Sequence, residues 1–198
     1  MATIRNISPP NYPTAARDYS QQWQDQFTNV LRLFCNSVAN AINAPKIFGS
    51  FYDTTTQTNP VANVPRLVTL DSVAAAFGTK LGNPTSRVYV TDTGVYNIQF
   101  SVQIDKASGS SAQSIYIWLR INGTDVPYSA SEISIKDASS ETVAAWNFVT
   151  IMQANDYFEL VWLSSDTDMQ LKAPTATASV PGIPSAIVTV TWVSNIPV

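Results

Sequence analysis

The sequence predicts a mainly β protein: an antiparallel jelly-roll sandwich preceded by an extended arm and one long N-terminal α-helix. Three observations predict this fold class. Residues 1–13 contain three prolines, residues 14–44 repeat their apolar side chains at helical spacing, and residues 46–198 alternate apolar and polar side chains in short runs. The predicted domains are therefore an arm, an amphipathic helix and a sandwich with these bounds.

The sandwich is predicted from eight runs of period two, separated by segments rich in turn-forming residues. The runs are "KIFGSFYD", "RLVTLD", "RVYVTD", "GVYNIQFSVQI", "SIYIWLRI", "NFVTIM", "YFELVWL" and "AIVTVTWV". In the fourth run the residues predicted to face the core are Tyr96, Ile98, Phe100, Val102 and Ile104. Asn122-Gly123 predicts a two-residue hairpin turn. Eight such strands without an internal helical pattern favour a jelly roll.

The arm is predicted from its prolines, because proline fixes φ and is excluded from a helix interior. These prolines are Pro9, Pro10 and Pro13. Such an arm is either disordered or bound along a neighbouring chain. The apolar side chains that would anchor it are Ile4, Ile7 and Tyr12.

The helix is predicted over residues 14–44, which contain no Gly or Pro, with Thr14 as its N-cap. Its apolar stripe consists of Tyr19, Trp23, Phe27, Val30, Phe34, Val38 and Ala41. The steps of 4, 4, 3, 4, 4 and 3 residues form an eleven-residue repeat, which keeps the stripe nearly straight along the helix. The stripe either packs on its own domain or bundles with copies of itself, and we favour bundling.

The composition predicts a surface that other chains cover in part. Hydrophobic residues make up 45% and charged residues 13%, about half the usual charged share. The alternative is a monomer with a surface rich in Ser, Thr, Asn and Gln. A net charge of −3 without a Lys/Arg cluster predicts no nucleic-acid partner.

The single cysteine, Cys35, excludes an intrachain disulfide. No stretch approaches the roughly eighteen apolar residues of a membrane span, so no membrane insertion is predicted. The segment "MATIRNISPP" lacks a basic region followed by an apolar run, which predicts no secretory signal. The expectation is a soluble protein made inside a cell.

The sequence predicts no enzyme, no cofactor and no metal. Because the chain has no histidine, Ser-His-Asp and Cys-His machinery and His-ligated zinc are excluded. Cys35, beside Phe34, is predicted to be a small buried hydrophobe. Asp166 and Asp168 have a spacing found in calcium loops, but no further acidic ligand lies nearby, so a solvated turn is predicted. Four other carboxylates are predicted to close turns: Asp92, Asp105, Asp125 and Asp156.

Outward-facing aromatic residues predict an interface between subunits. If Ile115, Ile117 and Leu119 face the core, Tyr116 and Trp118 face outward on the same strand. Trp162 and Trp192 lie on strands that are apolar on both faces, which predicts strands that are central or covered by another subunit. The predicted threefold interface therefore consists of Tyr116, Trp118, Trp162 and Trp192. The alternative is a helix of the same chain over that face.

Several motifs resemble C1q/TNF-like jelly rolls. "GVYNIQF" resembles the central G-x-Y-x-F-type strand of that family, Asn122-Gly123 resembles its hairpin, and "FVTIMQANDYFELVW" is similar to its two apolar strands around a short turn. "GSFYDTTTQTNP", "VAAWNFV" and "PGIPSAIVTV" resemble the modules of this type in bacteriophage and other virus structural proteins. The resemblance covers residues 46–193.

The resemblance implies a homotrimeric jelly roll displayed on a virion and joined to a separate attachment segment. The expected function is a capsid decoration, cement or head-fibre protein, made in the host cytoplasm, whose arm and helix bind the capsid or other virion proteins. The alternative is the tip of a tail fibre that recognises a host-surface protein or glycan. Against this alternative, the predicted apex loops, such as "KASGSS", contain no aromatic residue for sugar stacking.

Overall fold

The computed structural model describes residues 10–11, 20–42, 47–137 and 140–196. The chain divides into two compact units, Met1–Pro45 and Lys46–Ile196. The first unit contains the helix and the second contains the sandwich. The predicted fold class, a mainly β protein with antiparallel sheets that follow one helix, is confirmed.

Helix α1 spans Gln21–Ile42. Ser20 is its N-cap, since the Trp23 N–H donates to Ser20 Oγ at 3.3 Å and the Gln24 N–H donates to the Ser20 carbonyl at 3.1 Å. The side-chain bond satisfies one of the backbone donors that a helix N-terminus leaves free, and the bond to the carbonyl is the first i→i−4 bond of the helix. Several residues of the sequence predictions lie outside the described residues, namely Ile4, Ile7, Tyr12, Thr14 and Tyr19.

The strands of the sandwich are β1 Phe48–Asp53, β2 Gln57–Thr58, β3 Arg66–Leu67, β4 Ser72–Phe77, β5 Thr79–Leu81, β6 Val88–Val90, β7 Gly94–Lys106, β8 Gln113–Ile121, β9 Thr124–Asp125, β10 Ser131–Ile135, β11 Glu141–Met152, β12 Tyr157–Ser164, β13 Met169–Leu171 and β14 Ala186–Ser194. All their pairings are antiparallel. These fourteen strands of the described residues form two seven-stranded sheets.

The front sheet has the order β2-β13-β7-β14-β1-β4, with β11 paired to β7. The back sheet has the order β10-β8-β12-β6-β5, with β3 paired to β12 and β9 paired to β8. Along the chain β6, β8 and β12 lie in the back sheet, whereas β7, β11 and β14 lie in the front sheet. The chain thus crosses repeatedly between two facing sheets, as in a jelly roll.

The core lies between the two sheets and follows the alternation predicted for β7. Tyr96, Ile98, Phe100, Val102 and Ile104 are all buried. Opposite them, β8 contributes its odd-numbered apolar residues and β12 its even-numbered ones. These residues are Ile115, Ile117, Leu119, Phe158, Leu160 and Trp162. The core-facing residues of both sheets are apolar. The two sheets therefore differ mainly in the side chains that they point away from the core.

The predicted hairpin is also confirmed. Asn122 and Gly123 have positive φ values of 49° and 79° and connect β8 to β9. A type I′ turn requires positive φ at both of its central residues, and Asn-Gly adopts these angles at little cost.

Some strands differ from the predicted runs. "RLVTLD" forms a ladder only at Arg66–Leu67, and six strands have no counterpart among the eight runs, namely β2, β4, β5, β9, β10 and β13. The β4 segment, "SVAAAF", is rich in alanine, which has a weak preference for strands, and most of its side chains are exposed. Its pairing with β1 at the sheet edge defines it as a strand.

Candidate interaction surfaces

The helix presents one stripe of partly covered apolar residues. Trp23, Phe27, Val30, Phe34 and Val38 are half-buried, and the rings of Trp23 and Phe27 stack with 5.5 Å between their centroids. This is the part of the predicted stripe that the structure describes. Cys35, which was predicted to be buried, is exposed, because it lies beside the stripe rather than in it. Its assignment as a buried hydrophobe is therefore corrected.

We call the outward-facing side of β10, β8, β12, β6 and β5 the back surface. Tyr116, Trp118 and Arg120 face outward here, as predicted from the alternation of β8. Asp125 accepts hydrogen bonds from Trp118 Nε1 at 2.8 Å and from Arg120 Nε at 2.7 Å. Glu132 Oε1 accepts one from the Tyr116 hydroxyl at 2.9 Å. Both aromatic rings are therefore fixed by a carboxylate at their polar end.

These hydrogen bonds keep both carboxylates ionised. The bond from Arg120, helped by that from Trp118, lowers the pKa of Asp125 below its usual value. The hydroxyl groups of Ser114 and Tyr116 lower the pKa of Glu132 in the same way. The bond to Glu132 in turn raises the pKa of Tyr116, whose proton is shared with a carboxylate.

Charges continue across the rest of the back surface. Glu159 is buried and accepts hydrogen bonds from Ser86 Oγ at 2.8 Å and Arg87 Nε at 3.3 Å. The Arg87 guanidinium lies 4.4 Å from the centre of the Tyr157 ring. Acids, bases and tyrosines thus alternate on this surface, which is typical of a surface in contact with water.

Trp162 does not reach an outer surface. Its side chain is 1% exposed and belongs to the core, so its assignment to an intersubunit interface is corrected. The physical reason is the central position of β12, which pairs with β8 on one edge and with β3 and β6 on the other. Val161, on the opposite face, is buried as well. The apolar residues on both faces of this strand indicate a central strand.

Trp192 also packs against its own domain. It continues the inward series of β14, pairs with Tyr96 and is partly buried against the core. A Cβ atom at Gly94 would collide with the Trp192 indole, so the absence of a side chain at position 94 makes room for the ring. Of the four aromatic residues predicted at the interface, Tyr116 and Trp118 therefore face outward, whereas Trp162 and Trp192 face the interior.

We call the outward-facing side of β4, β1 and β14, together with residues 95–101 of β7 and residues 143–151 of β11, the front surface. Beyond these bounds the same side of the sheet carries Asp105 and Glu141, both of which form ion pairs with Lys172. The side chains of the front surface itself are neither acidic nor basic. They are Phe77, Ala75, Phe48, Ser50, Tyr52, Ile187, Thr189, Thr191, Val95, Asn97, Gln99, Ser101, Val143, Ala145, Asn147, Val149 and Ile151. One row across the sheet runs from Phe77 to Val149, which are 60% and 64% exposed. Sequence analysis missed this surface, although the polar side of β7 is uncharged from Asn97 to Gln103.

A pocket opens at one end of the front surface. It has a volume of about 510 Å³ and lies between Tyr52, Ile187 and the connection that leads into β14. Pro174, Ile183 and Pro184 form the wall on that side. The lining contains no charged residue, and its polar groups include the hydroxyls of Ser50, Thr54 and Thr175.

The described residues contain no group of three or more Cys, Asp or Glu side chains that could hold a metal ion. Asp166 accepts a hydrogen bond from the Asp168 N–H at 3.2 Å, which closes a turn. In the same part of the chain, no helix is long and apolar enough to cross a membrane.

Neither a scan against protein-family models nor a search of curated proteins found a match for this chain.

Proposed function

We propose that this protein is a virion structural protein, a capsid decoration, cement or head-fibre protein that displays a homotrimeric jelly roll on the particle. The arm and helix would attach it to the capsid or to another virion protein. The virion assignment is supported by the resemblance of "GSFYDTTTQTNP", "VAAWNFV" and "PGIPSAIVTV" to virus structural modules. The trimer is supported by the uncharged front surface, and this observation carries the proposal.

The front surface has the chemistry of a contact between copies. Exposed Phe77 and Val149 leave water when another copy covers them, which stabilises the contact by about 25 cal/mol per Å² of apolar area. Asn97 and Asn147, which share a hydrogen bond at 3.0 Å, contribute amides that both donate and accept. A surface without charges avoids the cost of burying an unpaired ion when identical chains meet.

The helix and the arm fit the role of an attachment segment. The stripe from Trp23 to Val38 provides a second apolar surface. Three copies held together by their sandwiches would bring three arms and three helices to the particle. Each weak contact then gains effective concentration from the others, so a trimer binds far more tightly than a single chain.

The first test is the mass of the protein by light scattering, measured for the full chain and for a shortened chain that begins at Lys46. We expect three times the 21.5 kDa of one chain for the full-length protein, and a threefold mass also for the shortened chain. A threefold mass for the full chain alone would assign trimer formation to the helix. Monomers in both samples would contradict the proposed trimer.

The second test is attachment to particles. Removal of residues 1–13 should leave the sandwich folded and reduce the number of copies per particle. Replacement of Trp23 and Phe34 by Asp should have the same effect. Leu33→Asp is the matched control, because Leu33 is exposed outside the stripe. Full particle occupancy with both stripe residues changed would contradict the assignment of the helix to attachment.

The second candidate function is a receptor-binding tip. The specific observation in its favour is the pair Tyr116 and Trp118, whose rings are held in place on the back surface. Trp118→Ala should then reduce adsorption of particles to host cells at unchanged occupancy. Unchanged adsorption would leave these rings without a role in recognition.

A further inference from the structure

The connection between β9 and β10 carries Tyr128, which has the highest exposure of the large hydrophobic side chains that the structure describes. Tyr128 is 107% exposed and has a φ of 61°, in the left-handed region. It follows Pro127, and the Ser129 N–H donates to the Val126 carbonyl at 3.4 Å. This is the arrangement of a type II turn, whose third position favours Gly or Asn. A tyrosine at this position is therefore unfavourable for the backbone.

The turn is nonetheless held firmly. Ser129 is buried, and its Oγ donates to the Val126 carbonyl at 2.7 Å and accepts from the Leu119 N–H at 3.1 Å. The loop is thus fixed to β8, and the tyrosine ring projects from a rigid base. A rigid loop loses little conformational freedom when its exposed side chain binds a partner.

Tyr128 departs from two rules at once. Its ring is fully exposed, so it adds no buried apolar area to the stability of the fold. Its positive φ is a left-handed conformation that is sterically unfavourable for a residue with a Cβ atom. Residues whose backbone angle or exposure is unfavourable for the stability of the fold are expected at functional positions. Tyrosine is also one of the residues enriched among those that dominate binding energy.

The pocket on the front surface is suited to such a ring. Its volume of about 510 Å³ lies within the usual range for binding pockets, roughly 300–1,000 Å³, and leaves room for Pro127 beside the ring. Tyr52, Ile183 and Ile187 provide apolar contacts. Ser50 and Thr54 provide hydroxyl groups for the phenol. The wall is held in place by a hydrogen bond of 3.0 Å from the Ile183 N–H to the Pro174 carbonyl.

We propose that Tyr128 of one copy docks into this pocket of the next copy. The ring cannot fill the pocket of its own chain, because it is fully exposed and belongs to the back sheet, whereas the pocket opens on the front sheet. Contacts around a threefold axis are heterologous, so that one patch of a copy meets a different patch of its neighbour. A projecting ring and a pocket on different surfaces satisfy this condition. The inference rests on the proposed self-association and names one of its contacts.

The decisive experiment is photo-crosslinking of the full chain with p-benzoylphenylalanine in place of Tyr128. An equal mixture of ¹⁴N- and ¹⁵N-labelled protein is irradiated, and crosslinked peptides are identified by mass spectrometry. We expect position 128 to be joined to residues 174–187 of another copy. Crosslinks to any other segment, or none at all, would overturn the inference. The mass of the same sample by light scattering separates the two failures: a trimer without this crosslink rejects only the docking, and a monomer rejects the proposed trimer as well.

Two variants show whether the ring itself contributes. Tyr128→Gly removes the ring and suits the positive φ, so the protein should fold at least as well as before. Its dissociation constant should nevertheless rise at least about tenfold, as expected for loss of an anchoring aromatic residue. Tyr128→Phe keeps the ring and should stay within about threefold of the unchanged protein. Equal association of the glycine variant and the unchanged protein would contradict the docking of Tyr128.

Discussion

The front and back surfaces of the sandwich share a scaffold and differ in chemistry. Both cover a core built from alternating strands. The front surface has no charged side chain and exposes Phe77 and Val149. On the back surface the aromatic residues are paired with ions: Trp118 with Asp125 and Tyr116 with Glu132.

This difference suggests separate roles for the two surfaces. A surface that stays in water gains solubility from charges, whereas a buried one must lose or pair them. Trp118 and Tyr116 have their polar ends satisfied within the chain, so they need no partner to be stable. Phe77 and Val149 have no such compensation in one copy. We therefore propose that the front surface mediates self-association and that the back surface stays in contact with water.

The largest effect is expected from Val149→Asp. Each trimer would bury three uncompensated carboxylates, each at a cost of several kcal/mol, so the trimer should dissociate at micromolar concentration. The matched control is Val61→Asp, since Val61 is 50% exposed in the connection between β2 and β3. The mass of each variant by light scattering shows whether it is still a trimer. A trimer that persists with Val149→Asp would remove the front surface from the interface.

The next largest effect is a loss of stability on removal of a tryptophan, and it should differ between the core and the back surface. Trp162→Ala should lower the free energy of unfolding by about 3–5 kcal/mol, because it leaves a large cavity between the sheets. Trp118→Ala removes a half-exposed ring and should cost about 1 kcal/mol. Urea denaturation measures both. Similar costs for the two variants would contradict the separation of an inward Trp162 from an outward Trp118.

The sequence was sufficient for the fold class because the strong signals are local. The alternation of β7 and the Asn122-Gly123 turn depend on neighbouring residues, and both predictions were confirmed. The short strands escaped prediction because their pairing partners define them. β13 pairs with β7, which lies more than sixty residues earlier in the chain, and the residues around β13 contain no pattern that predicts this pairing.

The interaction surfaces were harder to predict. Alternation separates two faces of a strand but does not say which face is inward when both are apolar. Trp162 was therefore placed outward, and the central position of β12 corrects this assignment. The front surface depends on five strands that come together only in the folded sheet. Tyr128 is an ordinary residue in the sequence and becomes conspicuous through its exposure and its backbone angle.

A smaller effect is expected from the two carboxylates that form ion pairs on different sheets. Glu159→Ala should cost about 2 kcal/mol, because the buried Ser86 hydroxyl loses its acceptor. Glu141→Ala should cost less than about 1 kcal/mol, since the pair of Glu141 with Lys172 is solvent-exposed. Thermal unfolding of both variants tests this ranking. Equal costs would indicate that burial of Glu159 does not determine its contribution.

The smallest effect concerns the charge that holds Trp118. Asp125→Asn keeps an acceptor for the Trp118 N–H and removes the attraction to Arg120. Because the pKa of Asp125 is lowered below 3.8 by its bond from Arg120, the charge stabilises the folded state at pH values above about 4, and this contribution is lost as the pH falls through the lowered value. The stability difference between the two proteins should be below about 1 kcal/mol at pH 7 and should decrease as the pH falls below 3.8. It should also be constant from pH 5 to 8, because the chain contains no histidine to titrate in that range. A difference that is equal at pH 2 and pH 7 would show that the charge of Asp125 plays no part in holding Trp118 and Arg120.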